Sequence, residues 1–303
     1  MIVRDRPTFN DILFTLRGSI LPRIVRPLLA MVAISAAAVA LGDLHPVWLA
    51  QLGAVPFTLI GLSLSIFMSF RNTACYDRWW EGRKLWGQFI IEARAFARQT
   101  ALLDAEDRAR LLLAICGFAA GLAVRLRGGD ERAAIARHLG DGPAGAGAWR
   151  HAENPTDAAL AEAGRHCLAL LAAGRIDPVH YSVLEARLSG MSFVQGGCER
   201  IRNTPLPFSY SLLLHRTAYA FCVLLPFALA PTLRWWTPLP VVLVSYAFFG
   251  LDALGDELSD PFGIEPNDLP LDAMVRTIER ELLGALGRTD LPPPLKADNH
   301  ILL

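Results

Sequence analysis

Charge is scarce in this chain. Asp, Glu, Lys and Arg make up 19% of its 303 residues, against about 25% in an ordinary soluble domain, and hydrophobic residues reach 53%. Mean hydropathy is +0.34, too high for a soluble enzyme of this size and too low for a wholly embedded transporter. Neither sign of charge is in excess, with 29 basic and 29 acidic residues, so nothing points to nucleic acid. The five cysteines form no CxxC pair, which removes a zinc site and a disulfide framework and leaves buried, reduced thiols. Met1–Arg26 is no secretory signal: Asp5 and Asp11 interrupt its five arginines, and no small-residue cleavage site follows. The chain has no HExxH and no nucleophile elbow. His138, His151, His166, His180, His215 and His300 do not meet Cys or carboxylates at ligand spacing, so no enzyme is read here. Strand signals are almost absent, and no internal repeat marks an inverted-repeat transporter. Gly140–Gly147 lacks the Lys-Ser/Thr of a phosphate loop and reads as a flexible surface loop.

What is present is a set of long uncharged runs. Arg26 and Asp43 bound about 16 residues, slightly short of the ~20 that cross a bilayer, with Arg26 placed to snorkel. Asp43 and Arg71 bound about 27 more, opened by Trp48 at the height of an aromatic anchor. The gap from Arg216 to Asp252 is broken only by Arg234. Pro231, Trp235, Trp236 and Pro238 around it read as a tight interfacial turn, so this gap is a helical hairpin. Ile12–Leu16 and its neighbours suit an amphipathic arm on the membrane surface. Five arginines before the first span and nineteen basic residues in Arg71–Arg216 place both termini and the middle segment in the cytoplasm. The expected fold is an all-α integral membrane protein with four transmembrane helices and a helical cytoplasmic domain. The divisions are an arm over 1–26, spans over 27–70, a cytoplasmic domain over 71–211, spans over 212–251 and a cytoplasmic segment and tail over 252–303. Within that domain, helices are expected over Cys75–Leu103, Glu106–Leu126, from Asn154-Pro155 to Ala173, and from Asp177-Pro178 to about Glu199. The tail Leu291–Leu303, with three successive prolines, reads as extended and poorly ordered.

Three stretches carry a resemblance. The first runs from Phe70-Arg71-Asn72-Thr73 through Tyr76-Asp77-Arg78-Trp79-Trp80-Glu81-Gly82 to Leu85-Trp86-Gly87. The second is Glu199-Arg200-Ile201 with Thr204-Pro205-Leu206-Pro207-Phe208-Ser209-Tyr210 and His215. The third is Leu251-Asp252, Glu257, Asp260-Pro261-Phe262-Gly263 and Asn267-Asp268-Leu269-Pro270-Leu271. In order and spacing they resemble the bestrophin family, in its bacterial and plant branch, over roughly residues 1–285. The resemblance implies a homopentameric channel in the inner membrane, assembled around one central pore. In such a pore the second span lines an apolar neck, and a wider vestibule leads to a lower aperture. Its partners would be further copies of itself, the bilayer and permeant small ions. Animal and plant members conduct chloride and other anions, while bacterial members extend to cations.

Leu62, Ile66 and Phe70 are four residues apart and share one helix face. Periodicity alone fits a lipid- or core-facing stripe equally well; the resemblance places the neck on them. Rings of Leu and Ile offer an ion no ligand and gate by dewetting. Only Phe70 carries an aromatic edge with positive partial charge, so the anion preference of the animal members transfers weakly. Ser63, Ser65 and Ser69 lie on other faces and suit close packing and hydrogen bonds between spans. Arg71, Asn72, Arg78 and Glu81, with Asp252, Glu257 and Asp260, read either as a vestibule lining or as inter-helix ion pairs, the second being the usual fate of ionic groups at membrane ends. The resemblance maps a lower aperture near Val179, beside His180. Animal bestrophins bind calcium in the region matching Asp256, Asp260 and Asp268. Here the dense acidic run is missing, and a structural turn is the competing reading, so no cofactor is expected. The rival functions are a cation-selective channel on the same fold, a secondary transporter or a non-conducting scaffold. No span has an Asp, Glu, Lys or Arg in its interior, which a coupled carrier would need.

Overall fold

A computed structural model describes residues 1–3, 15, 18–44, 54–140 and 147–303. The amphipathic arm around Ile12–Leu16, Trp48, and parts of the Gly42–Pro46 and Gly140–Gly147 loops lie outside the described residues. The described chain is helical, and its β pairing is limited to isolated bridges of Ile301 with Ile2 and Asp298. The helices are α1 (Leu21–Leu44), α2 (Ala54–Gln99), α3 (Ala105–Leu126), α4 (Glu131–Leu139), α5 (Pro155–Ala172), α6 (Pro178–Asn203), α7 (Phe208–Leu233), α8 (Pro238–Ser259) and α9 (Leu271–Ala285). They divide into two compact units. One comprises Met1–Val3, Trp80–Thr204 and Pro261–Leu303; the other comprises Arg4–Trp79 and Pro205–Asp260.

The second unit holds the spans. The helices α1, α7 (with the 3-10 turn Arg234–Trp236) and α8 are each long and apolar enough to cross a membrane, and α2 opens with the uncharged stretch that ends at Phe70. They share one core, in which Ile24, Leu28 and Met31 of α1 meet Leu64 and Met68 of α2, Phe221 and Leu225 of α7, and Val241 and Phe249 of α8. Lipid removes most of the hydrophobic drive between such helices, so close shape matching has to hold them. Gly61 shows this: a Cβ there would lie 3.1 Å from the Phe221 ring. Pro231 does not end its helix as the sequence reading has it. The helix α7 continues through Pro226 and Pro231 to Leu233, because inside a bundle neighbouring groups satisfy the backbone that a proline frees. The turn then closes at Arg234, whose φ is 47°, and leaves Trp235 and Trp236 exposed. The Ser65 hydroxyl bonds back to Gly61 O at 2.8 Å within its own helix, rather than to another span.

A boundary between the two compact units falls at Trp79–Trp80, within α2, a single helix of 46 residues, about 70 Å long at 1.5 Å per residue. The C-terminal tail is tied down rather than loose: Arg276 donates to Pro293 O at 2.9 Å, Ala273 N donates to Leu303 O at 2.9 Å, and Val3 N donates to His300 O at 2.8 Å.

The first unit is built on α3. Its composition would suit a membrane span, yet 67% of its most apolar window is buried inside the protein. It packs on α4, α5, α6 and α9. A Cβ on Gly121 would fall 2.8 Å from Thr156 Oγ1 and 2.9 Å from Ile135, so α3 approaches α5 and α4 to near backbone distance. Side chains cap the surrounding helices. Asn154 Oδ1 accepts Asp157 N at 3.1 Å for α5, and Asp177 Oδ1 accepts Val179 N and His180 N at 2.8 and 2.9 Å for α6.

Candidate functional site

In its spanning part, α2 is buried along one narrow stripe only: Leu64, Met68, Arg71 and Cys75. At about 100° per residue, Leu62, Ile66 and Phe70 lie within about 50° of the direction opposite that stripe. They are 60%, 47% and 62% exposed. Phe67 and Leu59 are exposed as well, so the three mark the centre line of a broad uncovered face. On one flank of that face Leu59, Ser63 and Phe67 meet Tyr210, Leu213 and Thr217 of α7 around an apolar groove of about 390 Å³. Tyr210 fixes the edge of the groove by donating to Phe67 O at 3.2 Å.

Directly below this face the charged residues close on one another. Arg71 Nη1 lies 2.8 Å from Asp252 Oδ1 and 3.3 Å from Asp252 O, and its Nη2 pairs with Asp256. His215 Nδ1 reaches the other oxygen of Asp252 at 2.5 Å. Arg71 and Asp252 side chains are only 3% and 5% exposed, so one carboxylate is held between a guanidinium and an imidazole where α2, α7 and α8 meet. Asn72 Nδ2 donates to Leu251 O at 3.1 Å, and Arg78 Nε to Ser259 O at 3.3 Å. Glu257 pairs with Arg23 of α1 at 3.1 Å. Asp260 is exposed at the end of α8, with no ion pair among the described residues. Glu81 pairs with Arg200 within the first unit. Gly255 makes the cluster possible: a Cβ there would sit 2.5 Å from Asn72 Oδ1 and 3.1 Å from Arg71 Nη1. Sequence reasoning singled out neither Gly255 nor Arg23. The signal for Gly255 was a glycine one turn beyond Asp252, where a long side chain from another helix has to pass.

Two of the three calcium candidates have other engagements. Asp256 is taken by Arg71. Asp268 is buried and accepts Glu265 N at 2.7 Å, locking the turn that Leu269 N closes on Pro261 O at 2.9 Å. Among the described residues, no three His, Cys, Asp or Glu side chains are gathered as a metal site would require. Val179 is 74% exposed in the first turn of α6. The neighbouring His180 is not a free ring, since its Nε2 lies 2.7 Å from Gln99 O. The amides of His180 and Val179 aimed at Asp177 hold that carboxylate below its ordinary pKa.

Long apolar helices joined to a helical body define a helical membrane protein. The sequence profile described as bacterial/fungal bestrophin protein matches residues 1–284, and the chain belongs to the bestrophin family. The voltage-dependent anion channel-forming protein mll4386 of Mesorhizobium japonicum is 44% identical over 300 residues, covering 97% of this chain and 94% of that protein. The voltage-dependent anion channel-forming protein YneE of Escherichia coli K12 is 37% identical over 312 residues, covering all of both. Among solved structures, that of a bacterial bestrophin homologue from Klebsiella pneumoniae superposes with a TM-score of 0.81 at 38% identity, covering 88% of this chain and 99% of the other.

Proposed function

We propose that this chain is the protomer of an anion channel, five copies of which surround a central pore in the inner membrane, with both termini and the first unit cytoplasmic. The observation that carries the channel reading is the end-to-end likeness to anion channel-forming proteins at 37–44% identity. The pore assignment rests on the uncovered centre line of α2. Five copies of Leu62, Ile66 and Phe70 would stack three apolar rings, through which an ion passes only when the neck is wide enough to stay wet. The edge of Phe70 supplies positive partial charge at the lowest ring. Val179, exposed on α6, would ring the lower aperture. The buried Arg71–Asp252–His215 cluster anchors the foot of the neck helix instead of lining the path. The orientation is supported by the arginines of the N-terminal arm. None of this requires catalytic or metal chemistry.

Cysteine accessibility tests the assignment. The five native cysteines are buried, so background reaction is low. In reconstituted protein, a water-soluble methanethiosulfonate should block current through Leu62→Cys and Ile66→Cys and leave Phe67→Cys conducting. Block at Phe67→Cys without block at Ile66→Cys would move the pore to the other face of the helix.

A further inference from the structure

One cavity of the first unit has no part in the ion path just described. It is a cleft of about 600 Å³ between α3, α4, α9 and the tail, within the range of small-molecule sites. Leu113 and Val124 of α3, with Val275 and Leu283 of α9, give it an apolar floor beside its charged wall. The acids in its wall are already neutralised: Asp272 pairs with Arg127 at 2.8 Å, and Glu279 with Arg276 at 2.9 Å. Two more arginines line it, Arg137 and Arg288, and neither guanidinium has an ion pair or hydrogen bond among the described residues. Local structure puts both at the cleft. Arg137 sits in the last turn of α4, which Gly140 ends with φ 67°. Arg288 follows Gly287 (φ 76°) in a left-handed helix end, where Arg288 N bonds to Leu283 O at 3.1 Å and Gly287 N to Gly284 O at 2.9 Å. His138 lines the cleft too, and burial lowers its pKa. Its ring is therefore a neutral hydrogen-bonding group near pH 7.

We propose that this cleft binds a small organic anion, an apolar body carrying one carboxylate or phosphate, with Arg137 and Arg288 on the oxyanion and the α3–α9 floor on the body. Guanidinium forks suit both oxyanions by paired, charge-assisted hydrogen bonds. An apolar floor without such a head would not select an anion, and the two arginines without the floor would hold any phosphate equally. Nothing in the proposal depends on ion conduction, and its test reads binding alone.

The test is calorimetry on the assembled full-length protein in lipid nanodiscs, with 4-phenylbutyrate, phenyl phosphate, 4-phenylbutanol and inorganic phosphate as probes. The two organic anions should bind saturably, one per chain, and at least tenfold more tightly than 4-phenylbutanol or inorganic phosphate. Arg137→Gln with Arg288→Gln should weaken both anions at least tenfold and leave 4-phenylbutanol unchanged. The lysine pair, Arg137→Lys with Arg288→Lys, keeps the charge without the forks and should fall between; it also serves if the glutamine pair misfolds. Three results would overturn the site: no saturable binding of either anion, undiminished binding in the glutamine pair, or inorganic phosphate binding as tightly as phenyl phosphate.

Discussion

Replacing Arg71 with methionine separates anchoring from lining at the foot of the neck. The side chain is 3% exposed and makes two carboxylate contacts of unequal value. Asp252, 5% exposed, loses its guanidinium and stays buried beside His215. Breaking such a buried pair from one side costs about 3–5 kcal/mol, because the remaining carboxylate stays buried without its guanidinium. The Asp256 arm is 58% exposed, and an exposed pair contributes about 0–1 kcal/mol. Arg71→Met should therefore destabilise by about 3–5 kcal/mol, Asp252→Ala should be comparably harmful, and Asp256→Ala should fall within about 1 kcal/mol of wild type. Arg71→Lys should lie between, since an ammonium cannot hold both carboxylates in the fork geometry. Unfolding of the purified protein in mixed dodecyl maltoside and SDS micelles, followed by tryptophan fluorescence, reads all four. Wild-type stability in Arg71→Met, with altered conductance, would refute the anchoring role and make Arg71 part of the pore lining.

Gly255→Ala should destabilise by about 1–3 kcal/mol in the same titration, because the new methyl meets Asn72 and Arg71 at 2.5 and 3.1 Å; an unchanged midpoint would mean that this crossing relaxes. Cys116, Cys167 and Cys198, whose thiols burial pushes up to about 12, should resist iodoacetamide at pH 8 and label rapidly in SDS, as mass spectrometry would show; labelling of the native protein would contradict their burial. The Asp177 pKa is depressed by the amides of His180 and Val179. Its capping contribution is therefore present above the ordinary carboxylate pKa and lost as pH falls through the lower folded value. The protection of those two amides, relative to their intrinsic exchange, should fall over that acid window in wild type, and should be lost already at pH 7 in Asp177→Ala.

The long apolar helices were legible because charge is excluded from bilayers, and the gaps bounded by Arg26, Asp43, Arg71, Arg216 and Asp252 record that exclusion. The caps at Asn154 and Asp177 were legible because an Asx-Pro pair starts a helix by local chemistry alone. Three features were not, each for a tertiary reason. Pro231 read as a breaker because proline's cost is local, while its relief comes from neighbouring helices. The tail read as loose because its anchors, the Arg276 guanidinium and the Ala273 amide, are distant in sequence. The partners of Glu81 and Glu257 could not be chosen from spacing, since Arg200 and Arg23 come from remote segments. The face of Leu62, Ile66 and Phe70 was visible in the period of the sequence, and the opposite stripe of Leu64 and Met68 gives it a physical reason.

The most direct test of the central claim is the reversal potential of purified protein in a planar bilayer under a KCl gradient. An anion channel predicts reversal near the chloride equilibrium potential. Reversal near the potassium potential would contradict it and leave a cation pore on the same helices.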